Sequence, residues 1–211
     1  MIQPDSIECP CVEALYAKEL SHRAANALQQ AIAAVHLSRR GGADLDDVMV
    51  RLHATAALHQ VLGRANGGLV NAADQISDVC AATVIAAGAS DDVTVAIDLD
   101  DVLAETSTMR PVLMIVAELV SNAVNHAFPE NAGIIHLEMR HSGMTTLLVV
   151  EDDGVCGGWY RPGGQGGGIV DALASSAGGR VTRSLTPGGA SRIEVILPSL
   201  AAAAAAPVGC A

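Results

Sequence analysis

The sequence predicts an α+β chain in which an N-terminal antiparallel helical hairpin precedes a sandwich of helices layered on a mixed sheet. Three observations carry this. Between Pro10 and Gly41 there is no Gly or Pro and alanine is abundant, as in a long helix. From residue 71 onward, stretches with helical period alternate with short stretches of strand-like alternation. Finally, 12 of the 21 glycines fall between Gly154 and Gly189, a segment that must need bare backbone.

The elements follow in order. Gly41-Gly42 ends the first helix just after Arg39 and Arg40, whose charges suit a helix C-terminus. Asp44 caps a second helix with Leu45, Val48, Leu52, Leu58, Val61 and Leu62 inward, running to the glycines at 63–68. A two-helix hairpin cannot bury its apolar faces alone, so it is expected to pair with a second copy into a four-helix bundle. A helix is expected over about 71–87 and a strand at 93–97. Pro111 opens a strongly apolar helix, the first turn being the favoured place for proline. Strands at 134–140 and 145–151 flank a Ser142-Gly143 turn, a helix runs over about 168–177, and strands at 180–185 and 191–197 close the sheet. The expected division is a hairpin over 1–66, a sheet domain over 67–199 and a flexible tail over 200–211.

Composition removes several classes of function. The 211 residues are 50% apolar, which excludes a disordered chain. The formal charge is −11, with residues 67–211 holding six Lys/Arg against sixteen acids, so no electrostatic footprint for nucleic acid or an anionic membrane exists. With Tyr16, Phe128, Trp159 and Tyr160 as the only aromatics, stacking platforms for bases are absent and the core must be aliphatic. Lys18 is the sole lysine, which excludes the lysine-dependent phosphate sites. No window reaches 18 apolar residues and no basic, then apolar leader opens the chain, so a cytoplasmic location is expected. Five cysteines are odd in number and scattered; Cys9-Pro10-Cys11 finds no second Cys/His pair at zinc spacing, so neither a disulfide framework nor a zinc centre is expected.

Four stretches carry the candidate chemistry. In the helix near 111–128, Glu118, Asn122 and Asn125/His126 recur every three or four residues and share one face. A polar stripe in an apolar helix is costly unless satisfied, either by internal hydrogen bonds or by Mg²⁺ and phosphate with oxygen ligands from Glu118 and Asn122. At Glu151-Asp152-Asp153-Gly154 a strand delivers carboxylates into a turn, where one can accept from an exocyclic amine such as adenine's, although Asp-Gly is also a common turn dipeptide. Residues 163–168, rich in glycine and followed by a helix, form an anion cradle of unobstructed amides that needs no lysine. Gly188-Gly189-Ala190-Ser191 reads by itself as a hairpin turn.

In this order and spacing the four stretches resemble the N, G1 and G2 boxes and the closing strand of the Bergerat-type ATP-binding fold, over about residues 71–198. The helix in front, Glu19-Leu-Ser-His22-Arg-Ala-Ala-Asn26, resembles the HRxxN signature of a subgroup of sensor histidine kinases. A lone helical histidine is ordinarily a solvated side chain, and His36, His53, His59, His136 and His141 are read so. The resemblance implies that His22 is the phosphoacceptor, with Asn26 one turn on and Glu19 one turn before, positioned to orient or deprotonate the imidazole.

The resemblance further implies a soluble, homodimeric kinase using ATP and Mg²⁺. Glu118 and Asn122 would hold Mg²⁺, Asn125 and His126 would lie along the nucleotide, Asp152 and Gly154 would meet adenine, and the amides of Gly164, Gly166 and Gly168 would face the phosphates. The phosphoryl group would then pass from His22 to an aspartate of a response-regulator receiver domain, with input from a separate sensor protein. Three positions depart from the family pattern: Asn125 replaces a usual lysine, Cys156 replaces the second G1 glycine, and the lid between Asp153 and Gly164 is short. They keep open an alternative, a histidine phosphotransferase or scaffold whose ATP-type domain no longer binds nucleotide. An anti-sigma Ser/Thr kinase of the same fold is disfavoured, because those proteins lack the HRxxN hairpin.

Overall fold

The computed structural model describes residues 45–63, 67–89, 91–128, 132–154 and 165–202, together with helical positions scattered between 14 and 36. Helix α1 spans Leu45–Gly63, with Asp46 and Asp47 in its first turn where negative charge is favoured. Its burial grows toward the C-terminal half: Leu58 and Leu62 enter the main core, whereas Leu45, expected inward, is 55% exposed because the first turn lies away from that core.

Beyond α1 the chain forms β1 (Leu69–Asn71), α2 (Ala72–Ala87), β2 (Val93–Leu99), β3 (Leu103–Glu105), α3 (Thr106–His126), β4 (Gly133–Ser142), β5 (Thr145–Asp152), α4 (Gln165–Ser176), β6 (Arg180–Leu185) and β7 (Ser191–Pro198). Asn71 caps α2 by accepting from the Ala73 and Asp74 amides at 2.9 and 3.4 Å. Gly88 ends it at φ 72°, a left-handed C-terminal position that favours glycine. The Arg51 guanidinium of α1 lies where a Cβ on Gly88 would project, and so sets a positive charge against the C-terminal end of α2.

Five strands form one sheet in the order β2-β4-β5-β7-β6, with β2 parallel to β4 and the remaining pairs antiparallel. The two three-residue strands β1 and β3 pair separately, Leu69 opposite Glu105 and Asn71 opposite Leu103. Alternation assigns the faces: Ile135, Leu137 and Met139 of β4, Leu148 and Val150 of β5, and Ile193, Val195 and Leu197 of β7 are buried under α2, α3 and α4. The opposite face is laced by arginines. Arg192 pairs with Glu151 at 2.8 Å and Glu194 at 2.9 Å, and Arg140 pairs with Asp98, Glu138 and Asp100. Such exposed pairs add little stability, so the aliphatic layer between helices and sheet holds the fold.

Two local expectations are corrected. Helix α3 starts at Thr106, placing Pro111 in its second turn rather than its first. Thr106 is anchored from outside, its amide and hydroxyl both donating to the Gly68 carbonyl at 3.0 Å, and Met109 is buried, so an extra turn forms ahead of the proline. The β4–β5 turn is Gly143-Met144, one residue later than expected, because Gly143 takes the left-handed conformation at φ 58°. The glycines at 188 and 189 lie in the hairpin turn as read, closed by the Thr186 amide donating to the Ala190 carbonyl at 2.8 Å, with Ser191 already the first residue of β7. Among the described residues no helix is long and apolar enough to cross a membrane.

Candidate functional site

Helix α3 is buried along Val112–Val120 except at Glu118, and its polar stripe emerges toward the C-terminal half. Glu118 and Asn122 are half-buried one turn apart, and Asn122 Nδ2 donates to Glu118 Oε1 at 3.3 Å. With its nitrogen engaged, Asn122 carries Oδ1 on the other branch of the amide. The pair is therefore an oxygen donor set suited to a hard cation that takes its remaining ligands from water and phosphate. Asn125 and His126 are exposed. Asn125 Nδ2 donates to Ser121 O at 2.7 Å and Ser121 Oγ at 3.2 Å, which ties the side chain back onto its own helix.

Strand β5 brings the carboxylates. By alternation Asp152 falls on the helix-covered face with Leu148 and Val150, while Glu151 falls on the opposite face against Arg192. Asp153 accepts from the Ile134 amide at 2.7 Å, a structural role beside the sheet. Asp152 alone of the three acids is buried, at 2% exposure. Burial raises its carboxyl above the ordinary value, the amides of Ser191 and Gly154 oppose that rise, and the neighbouring Asp153 and Glu151 add to it. The Gly154 bond measures 3.2 Å. A buried carboxylate held by two amides, in a strand-to-turn position, is a preorganised acceptor.

Gly154 joins this turn to α3. A Cβ there would run into the Ala127 carbonyl oxygen and lie 2.7 Å from Ala127 Cβ and 2.8 Å from its carbonyl carbon. The turn after Asp152 is thus pressed onto the C-terminal end of the helix that carries Glu118 and Asn122. Phe128 closes the other side, its ring occupying the space a side chain at Gly133 would need.

Helix α4 packs beside α3 and starts at Gln165, earlier than the expected 168, so Gly166, Gly167 and Gly168 form its first turn. Amides in a first turn lack ladder partners, and the glycine cradle is therefore the N-terminus of α4 itself. Space around Gly168 is open: a methyl group on its Cα would meet nothing within 4 Å.

The structure sets the Asp152–Gly154 turn against the C-terminal end of α3, the helix whose C-terminal half carries Glu118 and Asn122, with Gly166 and Gly168 in the first turn of the adjoining helix. Glu19, His22, Asn26, Gly164, Cys156 and the lid lie outside the described residues. Sequence reasoning missed Ser191 and Ala127 as supports of the Asp152 turn. For Ser191 the signal was present: it follows the Gly188-Gly189 turn and opens the strand opposite β5.

No family profile and no curated protein matches the sequence. Solved structures do match. The histidine kinase domain of the Erythrobacter litoralis EL346 blue-light activated histidine kinase superposes with a TM-score of 0.57 at 20% identity, over 88% of this chain and 91% of that one. A longer chain of the same blue-light activated kinase gives 0.57 at 21% identity, over 87% of this chain and 62% of that one. This protein has the fold of a histidine kinase domain, helices leading into a five-stranded mixed sheet.

Proposed function

We propose that the chain is an ATP-dependent protein-histidine kinase of two-component signalling. The observation that carries this reading is that the turn after the buried, amide-held Asp152 is pressed onto the end of the helix that carries the Glu118–Asn122 pair, on a fold shared with histidine kinase domains. Asp152 would accept from the adenine amine, the first-turn amides of α4 would face the phosphates, and Glu118 and Asn122 would hold Mg²⁺. When bound, Mg²⁺ neutralises phosphate charge. A neutral imidazole nitrogen of His22 attacks the γ-phosphorus in line, the bond to the β–γ bridging oxygen breaks, and ADP leaves; Glu19 takes or orients the imidazole proton. By its spacing of four residues, Asn26 would share a helix face with His22.

The phosphoryl group then passes to an aspartate of a receiver domain, under input from a separate sensor protein. Exposed Leu28, Ile32 and Val35, spaced at one helix face, together with Leu45 and Met49 of α1, support pairing of two hairpins in a homodimer. The acidic charge argues against a nucleic-acid or anionic-membrane partner, and the scattered, odd-numbered cysteines fit a cytoplasmic protein.

Incubation with γ-labelled Mg-ATP is expected to place acid-labile, base-stable label on His22 and none on the His22→Gln variant. Asn125 favours a second reading, because its amide is bound to Ser121 and supplies no cation to the phosphates. In that reading His22 relays phosphoryl groups between receiver domains. Absence of label from ATP, with uptake from a phosphorylated receiver, would establish the relay in place of the kinase.

A further inference from the structure

Strands β1 and β3 are joined to their helices without loops: Asn71 is followed at once by α2, and Glu105 by α3. The ribbon is stitched by short bonds, Ala72 N to Val102 O at 2.8 Å and Asn71 Nδ2 to Asp101 Oδ1 at 2.5 Å. Gly68, five residues past the end of α1, accepts both the amide and the hydroxyl of Thr106 at 3.0 Å. The side chains of α1 pack chiefly against α2 and only sparsely against α3. A cavity of about 370 Å³ separates Val61 of α1 from Met109 and Leu113 of α3, with Gly67 and Gln75 on its wall. Pro111, lacking an N–H, also deletes the helical bond to the Ser107 carbonyl, so the first turn of α3 depends on an anchor outside the helix.

We propose that Thr106 is a positioning residue, whose two bonds to Gly68 carry the position of the hairpin helix α1 into α3 and so into the Glu118–Asn122 pair. Its effect on phosphoryl transfer rests on the kinase reading; its effect on α3 does not. The test compares Thr106→Val, which keeps the branched shape and backbone bond but removes the hydroxyl, with Thr106→Ser, which keeps the hydroxyl. Thr106→Val is expected to raise amide hydrogen exchange across 106–113 about three- to tenfold, the weight of one hydrogen bond. The rate of His22 phosphorylation should fall by a similar factor while ATP affinity stays within about twofold, a loss in kcat rather than KM. Thr106→Ser should restore both.

Unchanged exchange in Thr106→Val, or a serine variant as impaired as the valine one, overturns the proposal. So does a uniform rise in exchange with ATP affinity and Tm falling together, which marks a merely structural role. If the unaltered protein takes no label from ATP, the kinase reading fails, and the exchange data still decide whether Thr106 anchors α3.

Discussion

Substituting alanine for Gly154 perturbs the contact that joins the two halves of the candidate site. The added methyl would meet backbone: the Ala127 carbonyl oxygen, and its carbonyl carbon at 2.8 Å, against the ordinary carbon–carbon separation of about 3.5–4.0 Å. Either the 152–154 turn or the end of α3 must move by about 0.7–1.2 Å, and no flexible side chain stands there to yield. Overpacking of this kind costs about 1–3 kcal/mol, which for a chain of this length lowers Tm by roughly 2–12 °C. Because the nearest atom is a main-chain oxygen, adding Ala127→Gly should recover only part of the loss. Gly63→Ala, where a methyl meets nothing within 4 Å, is the matched control and should not lower Tm. Thermal unfolding measures the stability, and titration calorimetry with a non-hydrolysable ATP analogue measures whether separating Asp152 from Asn122 weakens binding. A Gly154→Ala variant with unaltered Tm and affinity would refute the claim that this glycine clamps the turn to the helix.

Gly168→Ala should behave in the opposite way: with open space around it and a helical position, it gains about 0.5–1 kcal/mol of stability, while the new methyl obstructs the cradle and lowers ATP-analogue affinity; unchanged affinity in calorimetry would remove the first turn of α4 from the site. Asp152→Asn should raise Tm at neutral pH. Burial lifts this carboxyl above its ordinary 3.8, so the folded protein holds the proton more tightly than the unfolded chain, and the stability present below about pH 4 is lost as pH rises through the raised value. The gain in Tm should therefore vanish toward pH 4, and ATP-analogue affinity should fall about tenfold at pH 7 with loss of the charged acceptor; a gain independent of pH contradicts the assignment. Cys80 is buried, and burial pushes its thiol up to about 12, so iodoacetamide should leave it unlabelled in the native protein and label it on unfolding, as read by peptide mass mapping.

Much of the fold was legible because its signals are local and periodic. The apolar helix bearing Glu118 and Asn122, the alternation in β4 and β5, and the strand β6 at Arg180–Leu185 each repeat over enough residues to define a face. What escaped is non-local or too short. Strands β1 and β3 are three residues each, below any period, and exist because they pair with one another across 32 to 36 positions of sequence. The start of α3 was misplaced because proline's preference for a first turn is a local rule, while the bonds from Thr106 to Gly68 that extend the helix are tertiary. In α4, three consecutive glycines hide a helix start, since glycine is a poor helix former and only the packed Val170, Leu173 and Ala174 hold the segment helical. Within the candidate site, residue types at Glu118, Asn122 and Asp152 could be read directly. The supports could not: Ala127 is chemically silent, and its importance comes entirely from what lies against it.

Leu58 and Leu62 have a bearing on how this protein can be taken apart. Both sit in the same aliphatic core as the sheet's helices, and Leu62 is 1% exposed. Severing the chain after residue 66 would strip α2 of its neighbour and leave an oily furrow along it, together with a vacant C-terminal end where Arg51 now rests over Gly88. The sheet-bearing half is consequently not a cassette to be transplanted onto another hairpin: any exchange must carry α1 with it, or supply a helix whose last two turns fill the same furrow.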